Sequence, residues 1–246
     1  MSLLFSSRDF ECFHPEFRRS REVNQIRLAI KRKLASLGKM VHPFLKEAGA
    51  SLEMRTSLHH PYIHNRFAVD SMWLYFSLSK KGYEPLQKIL GDALGEDLHR
   101  HYNHTVLLLE IGFEGLSVAL KIHPGAWWDG QNLKNKCRRE KQDRALLELL
   151  RGLEGFTLRI HEWPNKHPCE KLELEKLNDC LRYYVPGEHW FHLEHFVPKE
   201  NPLATGSDFP DFVKGKLLSL LPLHHFILWT PENNHVPQLN GKEKNV

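Results

Sequence analysis

Between Asn103 and Asp129 the chain places two apolar runs close together: Val106 to Ile111 is almost unbroken, and Leu116 to Ile122 alternates into Lys121. The Gly112-Phe113-Glu114-Gly115 break between them holds the two residues most tolerant of positive φ, so the pattern predicts a hairpin at the centre of a sheet. An aromatic, polar loop, His123 to Asp129, follows it.

A different rhythm precedes the hairpin. Val23, Ile26, Ile30, Leu34, Leu37, Val41 and Phe44 advance by three or four and fall within roughly 80° on a helical wheel. This predicts an amphipathic helix, relaxed at Gly38 and ended or restarted at Pro43. Before it, Phe5, Phe10, Phe13 and Phe17 form an aromatic lead-in, either a short helix or an extended arm, with Ser6, Ser7 and Asp9 as capping oxygens. Phe67–Leu78 reads as a strand with Trp73 and Tyr75 on one side and Met72, Leu74 and Phe76 on the other. Lys80 to Gly82 is expected to turn the chain into a helix over Pro85–Leu98.

After the hairpin the expected elements are a long helix over Gln131–Arg151 with Asp129 as its N-cap, a strand over Gly155–Trp163, a helix over Glu170–Leu181 and a strand over Glu188–Val197. Pro210–Leu221 should be a helix ended by Pro222, and Leu223–Trp229 a last strand. Residues 233–246 read as a polar, frayed tail. Together these predict a single α+β domain over residues 1–232, with a mainly antiparallel sheet of five to six strands and helices packed against it.

Composition narrows the class. The chain has 246 residues, 41% of them apolar, which is enough for one large core. Its four cysteines, Cys12, Cys137, Cys169 and Cys180, form no CxxC pair, so neither a zinc ribbon nor a disulfide framework is indicated. No leader or membrane-spanning run is evident, and the expected location is the cytoplasm. Net charge is +4, yet Arg18 to Lys46 carries nine Lys or Arg against Glu22 alone, a local net of +8. The rest of the chain sums to about −4.

Several short motifs resemble the YktB-like family of bacterial proteins: Phe5-Ser-Ser-Arg-Asp9-Phe10-Glu-Cys-Phe13, the basic helix closing on Lys33-Leu34 and Leu37-Gly38, Asp70 before Met72-Trp73, and Lys81-Gly82-Tyr83. The resemblance covers residues 5 to 150 and implies a compact α+β domain. It brings no catalytic residues with it.

Three chemistries are candidates. The basic segment, through Arg18, Arg21, Arg27, Lys31 and Arg32, suits an anionic partner such as nucleic acid; Lys39 lies on the same helix. This gives the leading expectation, a noncatalytic cytoplasmic binding module. The alternative is a hydrolase-like acid/base enzyme on the loop from His123 to Asn132, where His123 would exchange a proton, Asp129 would orient it, and Trp127 or Trp128 would stack on a planar ligand beside Asn132. The run Glu188-His189-Trp-Phe-His192-Leu-Glu194-His195 is the third: in a strand His192 and Glu194 share one face and offer two metal-assisting ligands, but no complete metal site. No GxSxG, Walker A, GxGxxG or HExxH motif is present, no cofactor is specified, and the apolar stripe of the basic helix is needed for the core rather than for a membrane. The spacing of Cys137 from Leu133 places it on the buried side of its helix.

Overall fold

A computed structural model describes residues 4–57, 68–91 and 103–236. His59, His60 and His64, the pair His99 and His101, residues 92–98 of the helix expected over Pro85–Leu98 and the tail from residue 237 lie outside the described residues. The chain is an α+β fold whose elements are α1 (Ser7–Glu11), α2 (Asn24–Glu47), β1 (Leu52–Ser57), β2 (Ser71–Leu78), α3 (Lys80–Leu90), β3 (Val106–Gly112), β4 (Gly115–Ile122), α4 (Trp127–Arg139), α5 (Asp143–Arg151), β5 (Thr157–Ile160), β6 (His167–Pro168), α6 (Leu174–Tyr183), β7 (Phe191–Pro198), α7 (Phe209–Ser219) and α8 (Leu221–Ile227). One antiparallel sheet orders its seven strands β1-β2-β3-β4-β7-β5-β6.

The expected hairpin is present as β3 and β4, with only Phe113 and Glu114 between the strands. β2 and β4 are buried at every position, which is why both are rich in apolar residues on their two faces. β2 pairs with β3 in the register Ser71 to Gly112 and Phe76 to Leu107. The sheet gains two strands over the expectation: β1, where Leu52 is buried and residues 53–56 are not, and the two-residue β6. It loses one, because the expected strand over Leu223–Trp229 is helical through Ile227, on α8.

The residues group into two compact units. The first comprises Met1–Ser77, Leu107–Ala119 and Glu194–Leu221. In it α2 buries Ile30, Leu34, Leu37, Val41 and Leu45 completely. Pro43 neither ends nor restarts this helix: it sits on the exposed side, where the carbonyl deprived of a partner faces water. Gly38 is a contact rather than a relaxation point, since a Cβ there would overlap Met54 and Leu74. The aromatic lead-in takes the short-helix form. Asp9 accepts from the Ser6 N–H at 2.7 Å and from Lys33 Nζ at 2.7 Å, and Phe5 meets Phe209 edge-on at 5.8 Å.

Gly115 opens β4 with φ of +154°, and a Cβ there would run into the carbonyl oxygen of Val197 on β7. Backbone cannot step aside as a flexible side chain can. Gly115→Ala is therefore expected to cost about 2–3 kcal/mol in urea unfolding; wild-type stability would show that the two strands do not approach this closely.

The second unit comprises Leu78–Val106, Leu120–Leu193 and Pro222–Val246. Lys80 to Gly82, expected as a turn, form the first turn of α3, because the Ser79 hydroxyl accepts the Gly82 N–H and caps the helix. The expected long helix is divided into α4 and α5 by Lys141, whose φ is +54°. Trp127 and Trp128 belong to α4, which begins after Ala126, so they are helical rather than part of a loop. Leu146, Leu150, Leu158, Ile160, Leu177 and Phe191 are fully buried here.

Candidate functional site

Of the five cations expected to meet an anion, two are committed elsewhere. Arg27 is only 3% exposed; its guanidinium turns inward and donates to the carbonyls of Phe17 (2.7 Å), Ser20 (3.0 Å) and Cys12 (3.2 Å). It fastens the segment before α2 to the helix and is not a surface charge. Arg18 pairs with Asp70, Nη2 donating to Oδ2 at 2.6 Å. That pair lies on a concavity of about 420 Å³ which Glu110, Glu114 and Glu194 also line, so its surroundings repel anions. Arg21 and Arg32 are exposed and Lys31 is half-buried.

Lys39 and Lys46 join this second group. The segment Asn24–Lys46 contains no Asp or Glu, and the helix reaches its one carboxylate at Glu47. Arg32, Lys39 and Lys46 are spaced by seven, which on a helix of 100° per residue confines them to a stripe about 40° wide and about 21 Å long. All three are exposed, and none has an ion pair among the described residues. Leu28, 39% exposed, falls on the same stripe.

The loop from His123 to Asn132 is assembled differently from the expectation. Asp129 is the third residue of α4, not its cap, because the chain has already turned at His123–Ala126. It is 1% exposed, and both carboxylate oxygens are occupied: Oδ2 accepts from the Thr105 N–H (2.6 Å) and hydroxyl (2.7 Å), and Oδ1 from the Trp229 N–H (2.8 Å). Burial raises its pKa, and His104 together with these hydrogen bonds opposes the rise. Asn132 is equally committed, donating to the Ile227 carbonyl at 3.2 Å and accepting the His235 N–H at 2.8 Å.

Trp128 stacks on the buried Trp229 with ring centres 4.8 Å apart, and Trp127 meets Trp128 edge-on. Both pack against the cluster of Leu78, Leu86, Leu228, Trp229 and Val236. They cover a core, as large amphipathic rings do at the edge of one.

His123 holds the turn, its Nδ1 accepting the Gly125 N–H at 2.8 Å and its ring meeting Trp190 edge-on at 4.6 Å. Its pKa falls to about 4, and burial is the sole cause. Both oxygens of Asp129 are already occupied by Thr105 and Trp229, which commits its carboxylate to fastening the fold rather than to orienting an imidazole. Neutral at pH 7 and poorly basic, His123 is badly tuned for general-base work.

Nor do the β7 residues build a metal centre. Glu194 accepts a short hydrogen bond from the Ser117 hydroxyl, and His192 is buried. His189 precedes the strand and stacks between His161 (5.0 Å) and Tyr183 (4.7 Å). Among the described residues no three His, Cys, Asp or Glu side chains converge on a point where a metal ion could be held. Cys137 is buried as expected, and burial pushes its thiol up to about 12, which keeps it protonated and unreactive. No helix among the described residues is long and apolar enough to cross a membrane.

A second concavity, of about 540 Å³, lies in the second unit between α4, α5 and α6. Nothing in the periodicity marks it, since its lining is drawn from three helices. No protein-family model matches the chain and no curated protein matches it, so its chemistry has to be read from its own residues.

Proposed function

We propose that the chain is a noncatalytic binding module for an anionic partner, and that nucleic acid is the partner its charge pattern suits best. The observation that carries this reading is the acid-free face of α2, where Arg32, Lys39 and Lys46 stand exposed along one line with no ion pair among the described residues. A surface helix kept only for solubility gains from interspersed carboxylates, which add i,i+4 pairs and remove self-repulsion. Here the repulsion is left standing. Arg21 and Lys31 extend the positive potential toward the start of the helix, and the exposed Leu28 supplies an apolar contact beside it. In the same unit, the carboxylates around Arg18 and Asp70 disfavour a phosphate there and so restrict an anion to the helix face.

Absence of a helix-turn-helix or finger signature argues for recognition of the backbone rather than of base edges. Binding of the full chain to a mixed nucleic-acid pool, measured between about 50 and about 200 mM salt, is the test. Three phosphate contacts are expected to give a log–log slope of about −2 to −3. Weak binding that does not change with salt would overturn the reading.

A further inference from the structure

The concavity of the second unit is walled by Arg138, Lys141, Arg144 and Arg182 above a floor of Cys137 and Leu181. Asp143 and Asn178 complete the lining. Arg182 has a carboxylate at 3.4 Å, on Asp179, and Asp143 turns Oδ1 to the Arg144 N–H at 3.0 Å. Arg138, Lys141 and Arg144 have no ion pair among the described residues. Three cations without an ion pair among the described residues thus line one hollow, with Asp143 as the one carboxylate in its lining.

Two of these residues run against local preference. Arg138, in the last turn of α4, is where the helix dipole favours a cation; Arg144, in the first turn of α5, is where it disfavours one. Lys141 adopts a left-handed backbone, uncommon for a residue with a side chain and easily met by glycine. Glycine at this link would have been the structurally simpler choice. Positions that break local rules without gaining stability are where functional groups tend to lie, and both of these deliver charge to the same place.

We propose that this concavity is a binding site for a small phosphorylated ligand. Two guanidinium forks and an ammonium suit the several oxygens and multiple negative charge of a phosphate better than a single carboxylate does. The volume is that of a small-molecule site, and a hollow between three helices admits a compact ligand rather than a long strand. Asn178 offers an amide to a hydroxyl-bearing portion, and Leu181 an apolar surface. The protonated Cys137 is floor, not nucleophile. This site is separate from the α2 stripe and does not depend on it.

Calorimetric titration of the full chain with pyrophosphate, at an ionic strength held constant with chloride, tests the assignment. Saturable one-to-one binding is expected, weakened about tenfold or more in Arg138→Gln/Arg144→Gln, as loss of charge-assisted hydrogen bonds implies. Lys141→Gly removes the ammonium while keeping a backbone that glycine adopts freely, so it should bind several-fold more weakly with an unchanged or higher melting temperature. That variant carries the test if the double variant does not fold. Arg32→Gln/Lys39→Gln/Lys46→Gln should bind pyrophosphate as wild type does. No saturable binding, undiminished binding in folded Arg138→Gln/Arg144→Gln or Lys141→Gly, or a loss confined to the α2 variant would overturn it.

Discussion

Asp129→Ala is expected to destabilise the protein by about 4 kcal/mol, because three buried donors lose their acceptor at once and each unsatisfied group costs about 1–3 kcal/mol, less than additively. The donors are the Thr105 N–H and hydroxyl just before β3, and the Trp229 N–H just after α8. One carboxylate at the start of α4 therefore joins segments 24 and 100 residues away along the chain. Against a total stability of about 5–15 kcal/mol this is a large fraction. Asp129→Asn keeps one acceptor but points an amide at groups that also donate, and should cost about 2 kcal/mol. Urea unfolding followed by tryptophan fluorescence and by far-UV circular dichroism measures both. A loss below about 1 kcal/mol for Asp129→Ala would mean that water or rearrangement satisfies those donors. Where the variants remain folded, nucleic-acid binding should be retained, since Asp129 is a fastening and not a contact.

Acid is expected to weaken the fold by about 3 kcal/mol between pH 7 and pH 5 through two histidines held neutral. His224, 1% exposed, is lowered from 6.5 to about 3, chiefly by burial and then by the neighbouring His225; the Thr105 backbone opposes the shift. His123 is lowered to about 4 by burial. Both folded-state values lie below the unfolded value, so the unfolded chain binds more protons once pH drops below about 6.5. Stability is full above that value and declines as pH falls toward the folded-state values, by at most about 1.4 kcal/mol per pH unit for each group. Most of the effect belongs to His224, because His123 is partly exposed and solvent screens it. Urea midpoints at the two pH values give the slope, and His224→Gln should reduce it by about two thirds. An unchanged midpoint would show that neither imidazole is protected from protonation.

The elements that the sequence predicts well are those whose pattern matches their burial on both counts. β4 is buried along its whole length and β3 along most of it, so the hairpin reads as two apolar runs, and α2 has a clean stripe because one side alone is buried. β1 leaves little trace in the sequence because Leu-Glu-Met-Arg is composed of helix formers and, of residues 52–56, Leu52 alone is buried, so neither propensity nor alternation signals a strand. α8 departs from the expected strand for a related reason. Leu223, Ile227 and Leu228 form a short apolar run that serves equally as strand or helix, and Pro222 permits the helix by standing in its first turn, where its missing N–H is not needed.

Charge was legible in amount and not in direction. The net of +8 over Arg18 to Lys46 contains Arg27 turned inward, Arg18 spent on Asp70, and Lys33 spent on Asp9, 24 residues upstream. What survives is the seven-residue spacing of Arg32, Lys39 and Lys46, which was visible in the sequence as a pattern without a reason to prefer it. The hollow between α4, α5 and α6 had a fainter trace still: Lys134 to Arg144 is dense in cations, but the partners Asn178 and Arg182 come from a helix more than 30 residues further on.

The α2 stripe is best tested by comparing two variants that lose the same charge. Arg32→Gln/Lys39→Gln/Lys46→Gln removes the proposed contacts; Lys80→Gln/Lys81→Gln/Lys88→Gln removes three exposed lysines from α3. The decisive measurement is the dependence of nucleic-acid affinity on salt. The first variant is expected to bind about tenfold or more weakly at low salt, with a log–log slope shallower by about 2 to 3, and the second to retain most of the wild-type slope. Equal losses in the two variants, or a wild-type slope retained without the stripe, would contradict it.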